Sequence, residues 1–84
     1  MTKTKVLVVE DEALVARDLQ AQLQALGYEV PGIASSGPEA LRLARETGPD
    51  LVLMDILLRG KMDGIAAAGA LRQRADLPVI FLTA

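Results

Sequence analysis

Cysteine, histidine and tryptophan are all absent from this chain, and each absence removes a class of chemistry. Without cysteine there is no disulfide framework, no thiol nucleophile and no thiolate zinc site; without histidine the commonest metal ligand and general base is missing. Tyr28 and Phe81 are the whole aromatic content, so there is no platform on which nucleic-acid bases could stack. Nine basic against eleven acidic residues leave a net charge of -2, which offers no cationic surface to a phosphate backbone. No apolar run approaches the ~18 residues of a membrane span. The apolar part of "MTKTKVLVVEDE" is too short for a signal peptide. The expectation is a soluble cytoplasmic protein with no nucleic-acid or membrane partner, whose chemistry rests on carboxylates, hydroxyls and the backbone.

What is present is aliphatic. Half of the chain, 51%, is apolar, so the core of this single small domain must be built from Leu, Val, Ile and Ala. Lys5 to Glu10 is a β-rich run without alternation, as in a strand covered on both faces of a parallel sheet. It passes straight into a helix that Asp11 or Glu12 can begin, where Val15, Leu19, Leu23 and Leu26 recur at helical spacing and Gly27 supplies the C-terminal cap. A weaker second strand lies around Tyr28 to Ala34, and Pro31 within it argues for an edge position. Pro38 suits the start of a second helix carrying Ala40, Leu41 and Ala44 inward and ending at Gly48-Pro49. "DLVLMD" is a third strand, "LLRGKMDG" a loop, Ile65 to Arg74 a third helix and "LPVIFL" a fourth strand. The order βαβαβαβ is that of a parallel sheet with helical crossovers.

Ligands of open parallel α/β sheets gather beyond the carboxyl ends of the strands. There the first strand ends in Glu10 and Asp11, the third in Asp55 and the fourth in Thr83. Three acids crowded on one rim would repel one another and raise their pKa values. A divalent cation relieves that repulsion, and ligands that are all oxygen favour Mg2+, which keeps waters and contacts phosphate. Each residue also has a plain structural role open to it. Asp11 could cap the first helix, Glu10 and Glu12 could be solvated helix-terminus acids, Asp63 could cap the third helix, and threonine is common in strands such as that of Thr83. Asp55 is harder to set aside, because an acid directly after "LVLM" closes a strand that should be buried.

"VLVVEDE", "PDLVLMDI", "MDG" and "PVIFLTA", in this order and at these separations, resemble the receiver domain of two-component response regulators over the whole chain. The resemblance implies a flavodoxin-like parallel sheet of strand order 2-1-3-4-5. It implies that Asp55 accepts a phosphoryl group from a phosphohistidine on a histidine kinase or phosphotransfer protein. It gives Glu10 and Asp11 the role of the acidic pair that holds Mg2+, Asp11 directly and Glu10 through water, with the backbone carbonyl of Leu57 as a further ligand. Thr83 corresponds to the switch hydroxyl that reports the phosphoryl group, and Asp63-Gly64 to the turn into the third helix. Glu10 stands where the family often has Asp, and "LLRGKMDG" lacks a frequent proline; neither removes the site.

A third departure carries more. The family pattern continues after Thr83 with a fourth helix, a fifth strand bearing a phosphate-pairing lysine, and a fifth helix, none of which is in residues 1–84. The expectation is a C-terminally truncated receiver over 1–84, with weak Mg2+ binding and slow or absent phosphorylation. It is also that of a homo-oligomer, formed through the exposed fourth strand or the uncovered sheet face. The family role is that of a phospho-accepting signalling domain, not an enzyme. A receiver fold acting as an oligomerising or sequestering module without phosphotransfer is the competing reading. A magnesium phosphohydrolase would place a second acid two residues after Asp55, where Leu57 stands, and neither GxxxxGK[ST] nor GxGxxG occurs for a nucleotide.

Overall fold

The computed structural model describes residues 3–55 and 64–82. Four strands and three helices alternate: β1 Val6–Val9, α1 Ala13–Ala25, β2 Ile33–Ala34, α2 Gly37–Thr47, β3 Leu51–Asp55, α3 Gly64–Ala75 and β4 Val79–Leu82. The strands form one sheet in the order β2-β1-β3-β4, and every pairing is parallel. This is the flavodoxin-like arrangement, as far as the fourth strand.

The register explains why strands one and three are read as continuous apolar runs. Leu7 and Val9 of β1 and Val52 and Met54 of β3 join a core with Ala40 and Ala44 of α2 and Ala67, Ala68 and Leu71 of α3. Val8, one residue out of step, faces the other way and packs with Ala16 of α1 and Val30. The alanines matter here, because side chains that stop at Cβ let α2 and α3 lie close against the sheet and against each other. All four residues of β1 are buried, whereas β3 alternates between buried and half-buried positions. The sheet therefore has one closed face, under α2 and α3, and one that α1 covers only in part.

Helix ends follow local chemistry. Ser36 is the N-cap of α2, its Oγ accepting the Glu39 backbone N–H (3.3 Å), and Pro38 stands in the first turn, where its missing N–H costs nothing. Gly48 closes α2 in the left-handed conformation, φ 58°. At the end of α1, Gly27 has φ 96°, its N–H donates to the Gln24 carbonyl (3.0 Å) and the Tyr28 N–H donates to that of Leu23 (3.0 Å). These two bonds make a Schellman motif, which only a residue tolerant of positive φ can close.

Two details of the elements need correction. The covered stripe of α1 is Ala16, Leu19 and Leu23, while Val15 is 41% and Leu26 75% exposed. The apolar spacing marked the helix correctly but included residues that lie off the side meeting the sheet. The second strand is also shorter than Tyr28 to Ala34: an isolated bridge joins Lys5 and Glu29, and regular pairing resumes at Ile33, after Pro31. The edge position inferred from that proline is observed.

Candidate functional site

Parallel pairing sends the carboxyl ends of β1 and β3 to the same rim, since Val9 pairs with Met54 and Asp55 is the last residue of β3. One residue beyond Val9, the Glu10 N–H donates to the Ala34 carbonyl (2.9 Å), which ties the start of the β1–α1 loop to β2. Asp11 and Glu12 follow. The N-cap position of α1 belongs to Glu12, with extended backbone and no side-chain capping bond, so Asp11 is not the cap residue of that helix. Instead one carboxylate oxygen from each of Glu10, Asp11 and Asp55 lies within 4.8 Å of the others.

The three acids are unequal. Glu10 is buried, 6% exposed, whereas Asp11 and Asp55 are half-buried. Burial pushes the Glu10 carboxyl above the usual glutamate value of 4.5. The Glu12 backbone N–H donates to Glu10 Oε1 (3.1 Å) and pulls in the opposite direction, while the charges of Asp55 and Asp11 and a side-chain hydrogen bond with Asp11 reinforce the rise. For Glu10, then, desolvation outweighs the mutual repulsion expected from the sequence.

Glu12 has a part that the sequence reading did not give it. Its contribution is a backbone N–H, not a carboxylate. The signal for this was present in general terms, because the first N–H groups of a helix have no intrahelical acceptor and a side chain two residues back can supply one. Leu57, Asp63 and Thr83 lie outside the described residues.

A set of three carboxylates suits a hard divalent cation. Oxygen ligands at about 2.1 Å put two opposite donors of an octahedral ion about 4.2 Å apart, comparable with the 4.8 Å within which the three oxygens fall. Soft metals are disfavoured by the lack of nitrogen and sulfur donors. Among the described residues no helix is long and apolar enough to cross a membrane.

Comparison with known proteins agrees with this geometry. The response regulator receiver domain family matches residues 6–84. Among curated relatives, the probable transcriptional regulator ycf27 of Porphyra purpurea is 45% identical over 82 residues, 98% of this chain and 33% of its own length. The transcriptional regulatory protein PdtaR of Mycobacterium tuberculosis is 44% identical over 80 residues, 95% of this chain and 38% of its own. The chain thus spans about a third of the length of the curated relatives it matches. Among solved structures, the signal receiver domain of a modulated diguanylate cyclase from Desulfovibrio desulfuricans G20 superposes with a TM-score of 0.92 at 44% identity, covering 96% of this chain and 65% of that one. The anti-anti-sigma factor PhyR from Bartonella quintana, solved in complex with the anti-sigma factor NepR, gives 0.88 at 39% identity, with 98% of this chain and 34% of that one covered. With its parallel sheet, its acidic rim and a family match over nearly its whole length, the chain belongs to the response regulator receiver domains of two-component signalling.

Proposed function

We propose that this chain is a phosphoryl acceptor in a two-component relay, with Asp55 as the residue modified and a histidine kinase or phosphotransfer protein as the donor. The observation that carries the reading is the meeting of Asp55 with Glu10 and Asp11 at the carboxyl end of the sheet, in a chain of the receiver family. Asp55 ends a strand whose neighbours Val52 and Met54 are fully buried, so its backbone is held while its half-buried carboxylate reaches the rim. One carboxylate oxygen attacks phosphorus, an O–P bond forms as the N–P bond of the phosphohistidine breaks, and the released electron pair stays on the imidazole, which takes up a proton.

Glu10 and Asp11, with Asp55, are the residues that would hold Mg2+, together with the Leu57 carbonyl in the role the family gives it. Bound Mg2+ supplies charge neutralisation, which lets an anionic carboxylate approach an anionic phosphoryl group. The chain's own contribution is orientation: the Glu12 amide holds one side chain of the acidic pair, and the β1–β3 register sets the pair beside the acceptor. Thr83 is assigned the hydroxyl that contacts the phosphoryl oxygens.

Incubation with Mg2+ and acetyl phosphate is expected to add one phosphoryl mass, about 80 Da, to the intact chain. The addition should be lost in Asp55→Asn and on chelation of Mg2+. Persistent labelling of Asp55→Asn would place the acceptor elsewhere. A second reading, partner capture without phosphotransfer, has one observation behind it, the PhyR relative solved with an anti-sigma factor. It would be favoured by a chain that never takes up phosphate and behaves identically as Asp55→Asn.

A further inference from the structure

Glu10 is held at two atoms. Its backbone N–H donates to the Ala34 carbonyl (2.9 Å), and its Oε1 accepts the Glu12 N–H (3.1 Å). The second contact lies within its own loop. The first crosses to β2, so the place of Glu10 at the rim depends on what fixes Ala34. From upstream β2 fixes it poorly. The strand is two residues long, and Pro31 interrupts the ladder between the Glu29 bridge and Ile33. The bond one step earlier, from the Val8 N–H to the Gly32 carbonyl, is 3.4 Å long. Ladders fray toward their ends, yet here the terminal bond is the shorter one, so a constraint acts on Ala34 from the downstream side.

That side is the start of α2. Two residues past Ala34, the N-cap Ser36 accepts the Glu39 N–H on its Oγ (3.3 Å) and the Ala40 N–H on its carbonyl (3.0 Å). Ala34 and Ala40 are both fully buried and belong to one core cluster. Ser36 and Glu39 between them are half-buried. The segment from Ala34 to Ala40 is thus anchored by a buried methyl group at each end, with the cap hydroxyl closing the turn between them. Ser35 is exposed, and its Oγ donates to Glu39 Oε2 (3.3 Å). It contributes less, because a hydrogen bond in water replaces one that water would make.

We propose that Ser36 is a positioning residue for the cation site. Through the cap of α2 it holds the Ala34 carbonyl against the Glu10 N–H, and so sets the Glu10 carboxylate beside those of Asp11 and Asp55. The proposal rests on the reading of these three acids as the residues that would hold Mg2+, and adds to it a residue on a different element. Ser36 acts only through Ala34 and Glu10. Its loss therefore lets the β2–α2 corner open, the Glu10 backbone shift and one of three carboxylates leave its place, while Asp11 and Asp55 stay on β1 and β3, whose pairing is continuous from Val6 to Val9.

The two ends of α2 separate positioning from stability. Ser36→Ala removes the cap hydroxyl at the rim, and Ser36→Thr keeps one. Gly48→Ala instead strains the opposite end of the same helix, where Gly48 is left-handed with φ 58° and leads to the start of β3. The Val52 N–H, which donates to the Pro78 carbonyl (3.0 Å) inside the sheet, serves as the reference for any general loosening of the fold.

In metal-free buffer, amide exchange at Glu10 relative to Val52 is expected to quicken about fivefold in Ser36→Ala, the scale of one N-cap contribution. The ratio should stay at the parent value in Ser36→Thr and Gly48→Ala. When Mg2+ is titrated and followed at the Glu10, Asp11 and Asp55 amide resonances, half-saturation should rise about threefold in Ser36→Ala alone, less than the roughly tenfold or more that follows loss of a ligand's direct partner. An unchanged Glu10 to Val52 ratio in Ser36→Ala overturns the proposal. An equal change in Gly48→Ala does so too, since it marks a loss of stability and nothing more. A Glu10 amide that loosens while Mg2+ half-saturation stays put also overturns it, because the carboxylate is then placed without the cap. A parent with no Mg2+ response at these amides overturns the reading of the acids as ligands, and positioning for a cation with it, whereas the exchange ratio still reports the hold of Ser36 on Glu10.

Discussion

Glu10 is where burial and charge work against each other most directly. Its carboxyl is raised above 4.5 chiefly by desolvation, with Asp55 and Asp11 adding to the rise. The folded state therefore holds this proton to higher pH than the unfolded chain does, and linkage makes the associated stability fullest below pH 4.5 and lost as pH climbs through the raised value. Removing the charge should remove that slope. In metal-free buffer, the urea midpoint of Glu10→Gln minus that of the parent is expected to grow as pH rises from about 4.5 toward 8, and a difference that stays flat would show that burial of Glu10 costs the fold nothing. The identity of these acids was legible in the sequence, because Glu10 with Asp11 behind it, and Asp55, directly follow apolar runs. Their inequality was not, since it depends on how deeply the folded chain buries Glu10 and on the direction of the Glu12 amide.

At the scale of the element, the punctuation of the chain was its most readable feature. Gly27, Pro38 and Gly48 mark helix boundaries that the structure places at Ala25, Gly37 and Thr47, because positive φ and a missing N–H have few places to go. Gly48 allows a clean measurement. Its φ is 58°, and a methyl group built there meets no atom within 4 Å. Gly48→Ala should therefore cost only the left-handed backbone penalty, about 1–2 kcal/mol, with Gly48→Asn costing less because asparagine tolerates that conformation. Both are read from chemical denaturation; an alanine variant as stable as the parent would mean that the end of α2 rearranges freely. The face of α1 was less readable than its ends. Val15, Leu19, Leu23 and Leu26 satisfy a helical period, yet only Leu19 and Leu23 pack against the core cluster of Val8, Ala16 and Val30. Periodicity shows that a side is apolar. How much of it meets the sheet is decided by where the loops set the helix down.

Across the whole molecule the two faces of the sheet differ in how completely they are buried, and stability should follow that difference. Leu71 of α3 is fully buried with Leu7, Val52 and Met54, none of which has accessible surface. The other face has Leu51 and Leu53 half-buried and Ile80 53% exposed. Truncation on the closed face leaves a cavity in a packed interior, which costs about 2–5 kcal/mol for Leu→Ala. A domain of this size has a total stability of about 4–13 kcal/mol, so Leu71→Ala should remove a large share of it and lower the urea midpoint markedly. Ile80→Ala removes a side chain that is already half in water, and its cost in the monomer should stay below about 1 kcal/mol, near the range for surface substitutions. Urea denaturation of both variants under identical conditions compares the intrinsic cost of each truncation. Equal losses for the two variants would mean that the half-covered face carries as much of the folding energy as the closed one, and that something shields Ile80 within a single chain.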